Sequence, residues 1–307
     1  MPQSDQVRII TLEEYADLMT ATGFNDGSIL SPYQSPALLR ARVKSGMTVV
    51  AAGIRHDGVD SIAAFVHEDG EWMAHEVLVD DSVAAELTRG VAEHTETPAR
   101  MSVRVDSTVG EPATVGVTYA TLVIPTDHPD EALWREFSPA CRRALRRFDE
   151  SGHTIEFLDG DRDPGAIMEA LAPFDQRPEV CGGLAQEAFR TYGMELLRCG
   201  AAVLIVLRWQ QQVTSVAITI LGRGIANLRY TTTTRFAFPE STGTRAGNGL
   251  VAAAIRLLRD HRIQWLDLSG ITLEATSGHP NSIDRFKLGF SRQIWLFRQI
   301  RYPGVDP

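Results

Sequence analysis

Three cysteines in 307 residues, Cys141, Cys181 and Cys199, are odd in number and lack metal-ligand spacing. They read as structural thiols of a protein kept in a reducing cytoplasm. The eight histidines are scattered without a His-x-x-x-His pair, so no metal site is expected. No apolar run approaches the roughly 20 residues of a membrane-spanning helix, so no integral membrane segment is expected. The opening MPQSDQVRIITLEEYADL also lacks the basic start and apolar core of a signal peptide. Positive charge is not in excess either. A net charge of −9 argues against indiscriminate binding to DNA or to an anionic membrane, and it makes any local basic cluster informative. No Ser-His-Asp arrangement, activated cysteine or paired catalytic carboxylates can be picked out.

What is present alternates between strand-like and helical stretches, which predicts an α/β (α+β) protein. The length suits one large domain or two of ordinary size. Helices are predicted around 12–21 and 37–45, strands at MTVVAAGIRH, SIAAFVHE and EWMAHEVLV, a helix over 80–95, then strands at ARMSVRVD and TYATLVIP. PTDHPDE, from Pro125 to Glu131, is polar, carries two prolines and is the best linker candidate. After it the plan returns. AAVLIVLRWQQQVTSVAITILGRGIANLRYTTTT repeats the strand–turn–strand–turn–strand order of MTVVAAGIRHDGVDSIAAFVHEDGEWMAHEVLV. Arg55 matches Arg208, and Ser61-Ile62-Ala63 matches Ser215-Val216-Ala217. Either two similar modules stand in tandem, or two unrelated β-meanders share a plan by chance.

Three stretches can carry chemistry. TRAGNGL, with Arg245, Gly247, Asn248 and Gly249, runs into a helix expected from Leu250. Its spaced glycines resemble the pyrophosphate loop of Gcn5-related N-acetyltransferases, although Arg245 stands one residue too close. A plain turn is the other reading. In FSPACRRALRRFDESG, Ser138 caps a helix, Pro139 takes its first position and Gly152 closes it. At about 100° per residue, Arg142, Arg143, Arg146 and Arg147 share one face, opposite Cys141, Ala144, Leu145 and Phe148. Such a face suits an extended polyphosphate backbone, or else is a solvated surface paired with Asp149 and Glu150. In NSIDRFKLGFSRQ, read as a short helix feeding a last strand, Ile283, Phe286 and Phe290 form an apolar stripe with Lys287 at its border. That lysine is either a cation held at a cleft rim or a snorkelling surface residue. Asp267, ending the strand IQWLDLSGI, and Tyr230 with Thr231 to Thr234 are further candidates for a cleft lining.

From Leu133 to Gln293 the chain resembles the Fem-type (FemABX) aminoacyl- and peptidyltransferases, which are tandem acetyltransferase-like proteins. LWREFSPACRRALRRFDESGHTIEF looks like their arginine-bearing helix. TTTTRFAFPESTGTRAGNGLVAAAIRLLRDHRIQWLDLSGI is similar to their polar loop, long helix and strand. IDRFKLGFSRQ looks like their terminal Phe-Lys-x-x-Phe element. The resemblance implies two modules, each a mixed sheet flanked by helices. Residues 1–125 would bind the acceptor or only support the second module. Residues 126–307 would carry the donor site, with the last strand packing back on the first module. The implied reaction moves an aminoacyl group from the 3′ end of a tRNA to an amine, with aminoacyl-tRNA as co-substrate and no other cofactor. Lys287 would stabilise the developing anion or hold a tRNA phosphate, Phe286 would wall the terminal adenosine, and the arginine helix would touch the tRNA backbone. Two departures stand out: there is no heptad pair for the coiled-coil insertion that cell-wall members often carry, and Ser291 follows Phe290 where the family commonly has glycine. The acceptor therefore stays open between a peptide natural-product intermediate and a cell-wall precursor. An acyl-CoA-dependent N-acyltransferase is the alternative.

Overall fold

Two meanders of alternating apolar strands, each followed by a 15-residue amphipathic helix, organise the chain. The computed structural model describes residues 7–21, 31–56, 59–77, 79–105, 117–181, 184–233, 246–276 and 278–303. The first half runs β1 (Arg8–Ile10), α1 (Leu12–Ala21), a 3₁₀ turn (Pro32–Gln34), α2 (Pro36–Lys44), β2 (Val49–His56), β3 (Val59–Glu68), β4 (Glu71–Val77), α3 (Asp81–Thr95) and β5 (Ala99–Val105). Next come β6 (Val117–Pro125), α4 (Asp130–Glu136), α5 (Pro139–Asp149), β7 (Thr154–Leu158), α6 (Pro164–Leu171) and α7 (Gln186–Arg198). The second meander is β8 (Ala202–Trp209), β9 (Gln212–Leu221) and β10 (Ile225–Thr233), followed by α8 (Ala246–Asp260) and β11 (Trp265–Ile271). The chain closes with α9 (Leu273–Thr276), α10 (Ser282–Lys287) and β12 (Gln293–Tyr302).

The repeat is visible in the pairing. β2, β3 and β4 are antiparallel neighbours and β4 lies parallel to β5. Likewise β8, β9 and β10 are antiparallel neighbours and β10 lies parallel to β11. A parallel step needs a crossover, and α3 and α8 supply it. Each lays an apolar face on its sheet, α3 through Ala84, Leu87 and Val91, and α8 through Leu250, Ala254 and Leu258. Burying such a leucine is worth about 1.5–3 kcal/mol.

All the strands join one mixed sheet of twelve, in the order β1-β2-β3-β4-β5-β12-β6-β11-β10-β9-β8-β7. Pairing does not follow the division at Pro125. β6, from the first half of the chain, pairs with β11, while β12 pairs with both β5 and β6. The last strand thus lies at the join between the halves. Arg298 on β12 forms an ion pair with Asp81 at the start of α3.

Several local expectations change. The helix expected from Leu250 already begins at Ala246, so Gly247, Asn248 and Gly249 form its first turn instead of a loop. The short helix near the C-terminus stops at Lys287, because the chain turns at Leu288–Phe290 before β12. Ile283 is therefore 63% exposed while Phe290 is fully buried, and the expected stripe is split between rim and core. The linker candidate is a turn pinned in place: the Thr126 N–H donates to the Gln264 carbonyl at 2.7 Å, and Arg259 donates to the Thr126 carbonyl at 2.8 Å. The polar region after β7, where the sequence pattern marks no element, folds into α6, α7 and two 3₁₀ turns, Ala172–Gln176 and Pro178–Val180.

A chain ending at Arg292 leaves β5 and β6 without the strand between them. We expect it to lose the cooperative thermal transition by circular dichroism. A transition within a few degrees of the full chain would show that β12 is peripheral.

Candidate active site

β10 and β11 pair in parallel over three positions, ending at Asn227↔Asp267. Among the described residues no pairing continues beyond it, although β10 runs on to Thr233 and β11 to Ile271. Immediately after this point β11 bulges. Between Asp267↔Val123 and Gly270↔Thr121, Leu268 and Ser269 stand opposite Leu122 alone, and Ser269 takes φ 65°. A bulge turns carbonyls out of the ladder. Here the Ser269 and Gly270 carbonyls accept hydrogen bonds from Lys287 Nζ at 3.3 and 2.6 Å.

Lys287 sits at the end of α10, which is anchored at its other end. Asn281 and Asp284 form a capping box, and buried Asp284 accepts from Thr272 Oγ1 at 2.7 Å. The lysine is half-buried. Burial lowers its pKa, opposed by the charges of Asp267 and Asp284. An ammonium carries three donors, and two are committed to the bulge. The side chain lines a cleft of about 370 Å³ together with Phe286, Thr231, Thr232, Gly247, Ser269 and Arg229. Phe286 packs edge-on against Phe290 at 5.4 Å and lies over Gly247.

Asp267 is fully buried and does not line that cleft. Its carboxyl accepts from Thr121 Oγ1 on β6, from Asn227 Nδ2 on β10 at 2.8 Å, and from the Ser269 N–H at 2.7 Å. Burial pushes its pKa up, and the Thr121, Asn227 and Ser269 donors with the Lys287 charge pull it back. Asp267 thus binds the bulge whose carbonyls hold Lys287.

A second and larger cavity, about 720 Å³, opens on the other side of Arg229 and is walled by both halves. Four irregularities, the Ser269 bulge included, line it or its neighbour, one of them at Thr118 on β6, the extra residue between Phe297↔Tyr119 and Arg298↔Val117. At β10, Arg229 is the extra residue between Leu228↔Thr219 and Tyr230↔Ile218. At β4, His75 and Glu76 stand opposite Ser102 alone, with Glu76 at φ 53°. A glutamate held at positive φ is strained, which is common at functional sites. Glu76 is buried and accepts from Ser31 Oγ at 3.2 Å and from Tyr119. Burial raises its pKa well above the usual carboxylate range, and the Asp267 charge adds to this. Arg229, open to the cleft, stands over the rings of Tyr33 and Tyr230 at 5.6 and 5.7 Å, and their proximity raises its pKa. Tyr33 Oη donates to Asn227 Oδ1 at 3.4 Å, linking the 3₁₀ turn of the first half to the Asp267 network of the second.

Of the residues singled out from sequence, Lys287, Phe286, Ile283, Gly247 and Thr231 to Thr233 line the smaller cleft and Tyr230 the larger cavity. Gly249 does not: a Cβ there would meet the Phe148 ring at 2.3 Å, so it is the close-approach point of α5 and α8. Asn248 is buried, with Nδ2 directed at Cys141 Sγ at 3.6 Å. Arg143, Arg146 and Arg147 are exposed on α5, Arg146 standing over Trp134 at 5.5 Å. Arg142 instead donates to the Trp134 and Phe137 carbonyls at 3.1 and 2.8 Å and caps α4. Arg245 and Thr234 lie outside the described residues. A third groove, about 510 Å³ between α4, α5 and α8, shares no lining residue with the other two.

Sequence pattern does not single out Glu76, Arg229, Arg42, Tyr33, Tyr119 or Asn227. A signal existed for Arg42, which follows Leu38 by four residues and so falls on the buried face of α2. The bulges that redirect Glu76 and Arg229 leave no mark in composition or period.

No family profile and no curated protein sequence matches the chain. Solved structures do. FemX superposes with a TM-score of 0.67 at 12% identity, covering 97% of each chain. L-PGS from Bacillus licheniformis gives 0.57 at 10% identity, over 95% of this chain and 90% of that one. A tandem GNAT protein from the clavulanic acid biosynthesis pathway gives 0.54 at 14% identity, over 98% and 100%. The architecture is that of the Fem-type tandem acetyltransferase-like proteins. At these identities the likeness defines the fold.

Asp267→Asn would set an amide N–H₂ among three donors. We expect it to destabilise the protein by about 1–3 kcal/mol in urea unfolding. An unchanged midpoint would mean that the carboxylate is not the hub of this network.

Proposed function

We propose that the protein is an acyltransferase that moves an aminoacyl group from aminoacyl-tRNA to an amine, forming an amide. The observation that carries this reading is Lys287, fixed by two bulge carbonyls at the wall of a cleft where the sheet opens, with one N–H uncommitted. The likeness of fold to FemX supports it. An aminoacyl ester is already activated, so catalysis needs chiefly orientation and a partner for the oxyanion. A fixed ammonium in a half-buried cleft supplies the second.

In this reading the ester enters the smaller cleft, with Phe286 as a wall for the terminal base. The acceptor approaches from the larger cavity past Arg229. The ammonium of the acceptor first gives a proton to Glu76, whose raised pKa makes its carboxylate a competent acceptor. The neutral amine attacks the acyl carbon, the C–N bond forms and the ester C–O bond breaks. The amine's second proton goes to the leaving ribose oxygen. Lys287 donates its remaining N–H to the charge that develops between these events. Tyr230 shapes the wall beside Arg229, and the exposed Arg143, Arg146 and Arg147 meet tRNA phosphates. An acyl-CoA donor is the weaker reading, because Phe286 and Phe148 pack over the glycines of the first turn of α8.

The test is incubation with a charged tRNA pool and candidate amines, with products identified by mass. RNase should abolish the product. Lys287→Ala should lower kcat about 10²–10³-fold with the thermal transition retained. Product that survives RNase, or appears with acetyl-CoA instead, overturns the proposal.

Glu76→Gln carries its own pH signature. Activity should fall most at neutral pH, where the free acceptor is an ammonium, and recover as rising pH deprotonates the amine in solution. A uniform loss at every pH would assign Glu76 a purely structural role.

A further inference from the structure

Arg42 is an uncommon residue to find on the inner face of a helix. It belongs to α2, is 7% exposed, and lines the 720 Å³ cavity. Its Nε has no hydrogen-bond partner, although its guanidinium shares a hydrogen bond with Tyr192. Among the described residues it forms no ion pair with a carboxylate. Glu68, which feels its charge, is engaged with His75 at 3.7 Å. Arg229 faces the same cavity from β10, stacked over tyrosine rings, and also makes no ion pair among the described residues. Two guanidinium groups, Arg42 buried and Arg229 open to the cavity, form no ion pair among the described residues although Glu68 and Glu76 feel their charge, and for the buried Arg42 this runs against the usual pairing of buried charge. The planar guanidinium with its fork of donors is the side chain best matched to a carboxylate or phosphate.

Glu76 supplies a carboxyl from β4. A cavity with unpaired cations and a carboxyl is complementary to a molecule that carries an anion and an ammonium. Its volume falls within the roughly 300–1,000 Å³ of small-molecule sites. His67, Asp69 and His75 also face the cavity, but they stand near the β3–β4 turn or are engaged with Glu68 or Trp72.

We propose that this cavity selects the acceptor by an anionic group, carboxylate or phosphate, carried on the same molecule as the amine, with Arg42 and Arg229 holding the anion and Glu76 receiving the ammonium. The word acceptor rests on the aminoacyl-transfer reading; the binding claim does not.

The experiment uses the full chain without any tRNA or acyl donor. Calorimetry and thermal melting are run against the twenty proteinogenic amino acids and their carboxamides, and against O-phosphoethanolamine and ethanolamine. At least one anionic amine should bind tenfold or more tightly than its uncharged counterpart. The amino-acid arm and the phosphoethanolamine arm tell carboxylate from phosphate. Arg42→Gln should erase the preference without lowering the melting temperature of the free protein, since it removes an uncompensated charge. Should that variant fail to fold, Arg229→Gln reads the same preference. The proposal is overturned if no member of the panel binds, if anionic and neutral forms bind alike, or if the folded variant keeps the preference. Because no donor is present, failure here leaves the RNase result standing, and failure there leaves a binder of anionic amines.

Discussion

Where β10 and β11 part, the sheet loses the backbone hydrogen bonds that would otherwise hold the two strands together, and the Asp267 carboxyl takes their place. Thr121 reaches it from β6, Asn227 from β10 and the Ser269 N–H from β11 itself, so one buried acceptor ties three neighbouring strands at the point of opening. A parallel pair that ended without such a tie would expose unpaired backbone groups to a buried interior, at a cost comparable to a lost hydrogen bond for each. With the tie, the bulge at Ser269 is held in shape and its outward carbonyls become a fixed socket for Lys287. Everything proposed for catalysis depends on that socket, since a lysine free to sample solvent would give little advantage over bulk water.

The same device recurs across the sheet. Glu76 occupies a two-against-one irregularity on β4, Arg229 one on β10 and Ser269 one on β11. A regular strand points alternate side chains to opposite faces; a bulge adds a residue and redirects the side chains beyond it. These breaks, with the extra residue Thr118 on β6, line two cavities that share Arg229. The equivalence of β4 and β10 as third strands of the two meanders shows why the walls come from corresponding places in the two halves.

Strand exchange makes those walls rigid relative to each other. Because β12 lies between β5 and β6, and β6 lies against β11, backbone pairing continues from one half into the other. The contact between Tyr33 and Asn227 adds a side-chain link across the same boundary. A donor and an acceptor bound in the two cavities would therefore be oriented by one preformed frame, which is the main requirement for attack on an activated ester.

Much of the frame was legible in the residues. The two meanders, the helices α1, α2 and α3, the Ser138–Pro139 start of α5 and the whole of β12 follow from apolar period and capping chemistry, which act between residues close in sequence. Lys287 could be marked because it borders an apolar stripe within one short helix. What the sequence could not decide was depth and partnership. TRAGNGL reads locally as a loop, yet from Ala246 onward it is the first turn of α8, with the Phe148 ring resting on Gly249. Arg142 looks like the other arginines of its face until the carbonyls of α4 claim it. Glu76, Arg229 and Arg42 acquire their setting only when residues from both halves of the chain come together around one cavity, and bulge positions are set by strand pairing and not by any local period. Local patterns determined which elements form; the tertiary structure determined which charges are left without partners, because that depends on every group brought near them.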